Sequence, residues 1–272
     1  MELSEIKKIK RLEGIAIHYT DDGKGMPLLF IHGWLMSHRV WALQAPLAAG
    51  FRVITLDLRG HGSAGAADFS YNACCADIAL LCDCLSLDRV IVVGWSMGAQ
   101  IALKAYPSLE KAVAGMVLVG GTPHFCSSSD FPYGVAPAEA RSMMLRIKRD
   151  YNRAAGEFFS SMFSSEETGS VAMKLLADRV VSSLPSLDTA MSALNELINS
   201  DLRAHLPFIS APVMLIHGVD DKICLPGASQ YMAEKIPSAA LELISAAGHA
   251  PFLANPEAFN RMLSGFVRAV HG

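Results

Sequence analysis

Leu28–Ile31, Arg52–Leu56, Arg89–Val93 and Gly115–Val119 are short runs dominated by Val, Ile and Leu, and a fifth, Val213–His217, follows after a long gap. Strict alternation of apolar and polar positions marks a strand with one wet face. These runs lack it, which predicts strands buried on both sides. Ser70–Leu85 and Met97–Tyr106 read as helices between the runs, and Pro256–Val270 as a helix near the end of the chain. Strands alternating with helices predict an α/β fold, a mostly parallel central sheet with helices on both faces.

The rhythm stops after Gly121. From Thr122 to Leu206 the pattern is helical, after an irregular opening rich in Ser, Pro and aromatic residues, and strand character resumes at Ala211-Pro212. Both flanks continue one pattern, so the expectation is a helical cap over 122–206 inserted into a core made of 1–121 and 207–272. The 272 residues suffice for one such unit.

Composition narrows the partners. The chain is 51% hydrophobic and 18% charged, which excludes disorder, and a net charge of −3 provides no general footprint for nucleic acid or an anionic membrane. It opens without a basic segment leading into an apolar one and has no run of about 18 apolar residues, so a cytoplasmic protein is expected. Cys74, Cys75, Cys82, Cys84, Cys126 and Cys224 fit neither a disulfide framework nor paired zinc ligands, and are expected reduced and mostly buried.

Gly94-Trp95-Ser96-Met97-Gly98 directly follows the run Arg89–Val93 and directly precedes a helix. A G-x-S-x-G pentapeptide arises by chance roughly 0.1 times in a chain this long. Its position is the stronger signal, because a sharp strand-to-helix turn leaves no room for side chains on either glycine and presents the serine hydroxyl at the sheet edge. Ser96 is therefore the candidate nucleophile.

A serine hydroxyl needs a base. His249, in Ala246–Phe252 between Leu241–Ile244 and the last helix, lies in a loop at the same edge. His32, His61, His124 and His217 sit in or near other sheet-end loops, His32 and His217 each just before a glycine that suits a turn. The orienting acid is sought after Val213–His217, where Asp220 and Asp221 are adjacent; Asp57 is a weaker rival. The oxyanion hole needs two fixed N–H donors. Met97, next after the nucleophile, supplies one, and Trp34, in the loop after Phe30-Ile31-His32-Gly33, the other.

With these residues in place, the chain resembles the α/β hydrolases over essentially its full length, and more narrowly the pimeloyl-acyl-carrier-protein methyl ester esterases of biotin synthesis. The resemblance rests on His32-Gly33-Trp34, Gly94-Trp95-Ser96, Gly120-Gly121-Thr122-Pro123-His124-Phe125 and Ala247-Gly248-His249-Ala250-Pro251-Phe252 followed by Asn255-Pro256. The family pattern puts the acid three residues beyond the glycine, which selects Asp221. It implies an acyl chain lying against Trp34 and beneath Phe158, Phe159 and Met162, with Trp95 and Phe125 beside it. It also implies contact between cap arginines and an acyl carrier protein. Arg153 falls on one such position and Lys174 keeps charge at another, while Glu157 and Ser170 depart from the pattern. Arg146, Arg149 and Arg153, at spacings of three and four, are expected on one helical face.

These residues predict a carboxylic-ester hydrolase acting through an acyl-enzyme, without metal or organic cofactor. The same fold and triad also serve an elimination step of menaquinone synthesis, so a lyase is the first alternative and a non-catalytic small-molecule receptor the second.

Overall fold

The computed structural model describes residues 7–10, 16–65, 68–167 and 184–272. Eight strands form one sheet: β1 (Lys7–Lys10), β2 (Ala16–Gly23), β3 (Pro27–Ile31), β4 (Arg52–Asp57), β5 (Val90–Trp95), β6 (Val113–Val119), β7 (Val213–Gly218) and β8 (Ala239–Ile244). Their order is β1-β2-β4-β3-β5-β6-β7-β8. The β1–β2 and β2–β4 pairs are antiparallel and every later pair is parallel, as the expected fold class requires.

All six residues of β5 and of β7 are buried, whereas β8, at the sheet edge, is partly buried or exposed throughout. Helices α1 (Tyr71–Cys84) and α2 (Met97–Leu109) pack on each other, with α2 also on β5. A 3-10 helix at His38–Ala49 packs with the final helix, Pro256–His271, which also contacts β6. Where these layers meet the sheet, Trp41, Trp95 and Phe252 form a fully buried cluster; the Phe252 ring centroid lies 4.4 Å from Trp41 and 5.0 Å from Trp95. Removing one such ring from a packed core costs about 3–5 kcal/mol.

Between β6 and β7 the described residues hold helices α3 (Pro137–Arg149), α4 (Tyr151–Ser161) and α5 (Leu187–Asn199) and no named strand. The arginines expected on one helical face are divided between two helices. Arg146 and Arg149 belong to α3 but Arg153 belongs to α4, so the three do not share one helical face. Asp150 breaks the run: its backbone is extended at φ −153° and ψ 91°, and its carboxylate caps α4 by accepting the Arg153 N–H at 3.2 Å. The three arginines still border one surface depression with Asp150, Ala154 and Glu157.

The remaining elements are α6 (Pro226–Lys235) before β8 and the single turn α7 (Pro251–Ala254), which leads into the final helix, α8. All six cysteines are free. Among the described residues no helix is long and apolar enough to cross a membrane.

Candidate active site

Ser96 stands at the junction of β5 and α2 with φ +56° and ψ −116°. This left-handed conformation is strained for any residue with a side chain, and the surrounding backbone enforces it. A Cβ on Gly94 would lie 2.5 Å from the Gly98 carbonyl oxygen, and one on Gly98 would collide with that of Ile31. The Ser96 N–H donates to the Val119 carbonyl at 2.9 Å, fixing the turn to β6.

His249 Nδ1 lies 2.7 Å from Asp221 Oδ2. Asp221 is buried, and its other oxygen accepts the N–H groups of Ile223 at 2.8 Å and Cys224 at 3.0 Å. His217 is a further partner, its Nε2 lying 3.0 Å from Asp221 Oδ2 and 2.7 Å from the Cys224 carbonyl. The carbonyl can only accept, so Nε2 carries a proton, and Nδ1 accepts from the Ser229 hydroxyl at 2.6 Å. Burial opposes ionisation of Asp221, but His249 and His217 together hold its pKa below the usual carboxylate range. Asp220, its neighbour, is exposed.

With Nδ1 turned to a carboxylate, His249 carries its free lone pair on Nε2, which is buried and has no hydrogen-bond partner among the described residues. The other sheet-end histidines are engaged elsewhere. His61 Nδ1 meets the Arg59 carbonyl at 2.9 Å and His124 Nδ1 that of Ser200 at 3.0 Å. Asp57 accepts both the N–H and Nδ1–H of His38 and the N–H of Ser63.

His32 shapes the loop after β3. Leu58 N–H donates to its Nε2 at 3.0 Å, so Nδ1 carries the proton and donates to the Gly33 carbonyl at 2.8 Å. Burial, reinforced by His61, pushes its pKa down to about 3 and keeps the ring neutral. In a trans peptide the carbonyl and the following N–H point in opposite directions, so the Trp34 N–H is turned away from His32. A Cβ on Gly33 would lie 3.4 Å from Ser96 Cβ, which puts this peptide against the serine. Met97, as the first residue of α2, has an N–H without an intrahelical acceptor.

The expected acyl-contact residues divide. Trp34 is buried, with its ring edge-on to Phe158 at 4.8 Å and its Nε1 donating to the Ala190 carbonyl at 2.9 Å. Phe125 and Phe158 line a cavity of about 290 Å³ with Met143, Ile147, Arg146 and Lys222. Phe159 and Met162 are buried in the core cluster. Trp95 is a correction: its indole packs under the His249 loop in the Trp41–Phe252 cluster and donates to the His249 carbonyl at 2.8 Å. Its ring centroid lies 5.5 Å from that of the His249 imidazole. Lys174 and Ser170 lie outside the described residues.

His217, expected to shape a turn, also reaches Asp221, a contact its sequence context does not announce beyond its spacing four residues before the acid.

A serine at a strained turn between a central parallel strand and a helix, with an acid–imidazole pair at neighbouring strand ends, defines a hydrolase-type enzyme of the α/β class. A profile of the alpha/beta hydrolase family matches residues 28–262. A pimeloyl-[acyl-carrier protein] methyl ester esterase of Nitrosomonas europaea is 34% identical over 246 residues, covering 90% of this chain and 96% of that protein. An esterase from Exiguobacterium antarcticum has a TM-score of 0.90 at 28% identity, covering 96% of this chain and 99% of its own. A bromoperoxidase from Bacillus anthracis also reaches 0.90, at 26% identity, covering 97% and 100%. The chain belongs to the α/β-hydrolase family and is an enzyme of that type.

Proposed function

We propose that this enzyme hydrolyses carboxylic esters with an apolar acyl group, using Ser96 as nucleophile, His249 as base and Asp221 as orienting acid. The observation that carries the reading is His249 itself: Asp221 holds Nδ1, Nε2 is left buried and unpartnered, and the ring lies 5.5 Å from that of Trp95, the residue before the strained serine. Ser96 Oγ attacks the ester carbonyl as its proton passes to His249 Nε2. The N–H groups of Trp34 and Met97 stabilise the oxyanion. Collapse of the tetrahedral intermediate breaks the bond to the alcohol oxygen, which takes the proton from His249 and leaves as the alcohol. A water then gives its proton to His249 and attacks the acyl-enzyme, releasing the carboxylic acid and restoring the Ser96 hydroxyl.

For the substrate, we favour the pimeloyl carrier-linked methyl ester acted on by the Nitrosomonas europaea relative. The cavity walled by Phe125, Met143, Ile147 and Phe158, with charged groups also on its wall and neither Ser96 nor His249 lining it, suits an acyl chain, and the depression bordered by Arg146, Arg149 and Arg153 suits an acidic carrier. In this reading residues 122–206 act as a substrate-binding cap on the core.

The test is Ser96→Ala. Loss of at least a thousandfold in turnover of short p-nitrophenyl esters, together with loss of fluorophosphonate labelling, is expected. Full turnover by the variant would overturn the assignment. On a panel of free and carrier-linked esters, preference for the carrier-linked methyl ester is expected, and equal turnover of free short esters would remove the carrier. Serine-dependent elimination without ester hydrolysis would make the enzyme a lyase.

A further inference from the structure

The loop that carries His249 is fastened to the segment just after α4. His249 N–H donates to the Met162 carbonyl at 2.7 Å, and the Ser164 hydroxyl donates to the Ala246 carbonyl at 2.9 Å. Gly248 N–H donates to Glu167 Oε2 at 2.9 Å, and the same oxygen accepts the Ser164 N–H at 2.6 Å. The two stretches lie so close that a Cβ on Gly248 would collide with the Met162 carbonyl oxygen. Ala246 itself is held at φ +60°, a conformation that needs outside support in a residue with a side chain.

Glu167 stands out in this contact. Its side chain is 9% exposed, Oε2 takes two backbone donors, and Oε1 is buried with no partner among the described residues. A carboxylate so placed is costly to bury, and its two donors offset only part of that cost. Helix termini and β strands supply neither of these donors: both come from irregular backbone, one in the Glu167 segment and one in the residue before the base. On the opposite side, Trp95 Nε1 donates to the His249 carbonyl. The His249 backbone is thus gripped at its N–H from the inserted segment and at its carbonyl from the core, with Glu167 fixing the peptide just before it.

We propose that Glu167 is a positioning residue for the reaction, holding the Gly248 peptide so that His249 keeps its bond to Asp221 while Nε2 faces Ser96. General-base catalysis loses rate steeply when the base shifts by about an ångström. The proposal rests on His249 being the base. It assigns to the inserted segment a part in chemistry as well as in substrate contact.

The test compares Glu167→Ala with Glu167→Gln in the full chain, using a short p-nitrophenyl ester that does not need the carrier. Glu167→Ala is expected to lower kcat roughly tenfold with KM within twofold, and to broaden the far-downfield proton resonance of the His249–Asp221 bond. Glu167→Gln keeps an acceptor oxygen for both N–H groups and is expected to recover kcat to within about threefold of the wild type, with the resonance restored. A folded Glu167→Ala with wild-type kcat, or a Gln variant as slow as the Ala variant, would overturn the proposal. Should Glu167→Ala fail to fold, Ser164→Ala removes the neighbouring bond to Ala246 and is expected to lower kcat about threefold at constant KM; wild-type kcat there counts against it. His249→Ala separates the two readings. If it stays active, the base assignment falls; if it is inactive while Glu167→Ala is not, only the positioning role falls.

Discussion

Asp221 and Arg153 both bring charge to the neighbourhood of the site, on opposite terms. Asp221 is 3% exposed and accepts from two backbone N–H groups and two imidazoles. The Arg153 side chain is 77% exposed, and its carboxylate partner is Glu157, one helical turn away. Moving Asp221 would strand three donors in a dry site, the N–H groups of Ile223 and Cys224 and His249 Nδ1, whereas Arg153 can turn into water at little cost. The carboxyl edge of the sheet is therefore over-determined, each catalytic candidate being fixed by several neighbours. The outer face of α3 and α4 is under-determined: its arginine is exposed and paired only within its own helix. Under the proposed function, chemistry falls to the first region and selection to the second.

The largest effect that would test this contrast is expected from Gly98→Ala. The new methyl meets the Ile31 and His32 carbonyls, so destabilisation of about 3 kcal/mol is expected. Thermal unfolding should show a Tm lower by about 6–12 °C. Unchanged Tm would mean that the turn relaxes more freely than the packing implies.

Acidification should come next. Burial pushes the pKa of His32 down to about 3 and that of His61 to about 4, against about 6.5 in the unfolded chain. Below pH 6.5 the unfolded state takes up protons that the folded state refuses, so stability falls as pH drops from 6.5 towards 4. Asp221 has the opposite register: with its folded pKa held low, its contribution persists through this window and is lost only at still lower pH. Tm measured between pH 7 and 4 should decline, and His61→Asn should flatten about half of the decline. A level profile would contradict neutral buried imidazoles.

The smallest effect is expected on the outer face. Reversing Arg149 and Arg153 together to Glu should leave turnover of a small free ester within twofold and weaken a carrier-linked substrate by about tenfold in KM at low salt, less at high salt. An equal loss on both substrates would show that the face is coupled to the chemistry and collapse the distinction.

Legibility in the sequence followed the same division. Strands β3 to β7 were readable because burial on both sides demands unbroken Val, Ile and Leu, and Ser96 because a turn that excludes Cβ atoms writes glycine at fixed positions. Strand β2 was not placed. It runs antiparallel near the sheet edge and buries two polar residues, His18 and Thr20, the latter pairing with the distant Thr55 at 2.8 Å. The break at Asp150 was hidden for another reason: helical spacing counts residues and does not register one that caps the following helix. Glu167 left no mark at all, since its donors, Ser164 and Gly248, are backbone groups that any sequence would carry.

The pairing of β6 with β7 spans the whole inserted segment, and Asp221 and His249 both lie beyond it. Contacts that close such a long stretch of chain carry a large loop-closure entropy and form slowly. During refolding the strand, turn and helix around Ser96 can assemble from local contacts, while the acid and the base arrive only when the distal half docks. Recovered activity is thus expected to be a late clock for this molecule, lagging the return of helical signal during refolding.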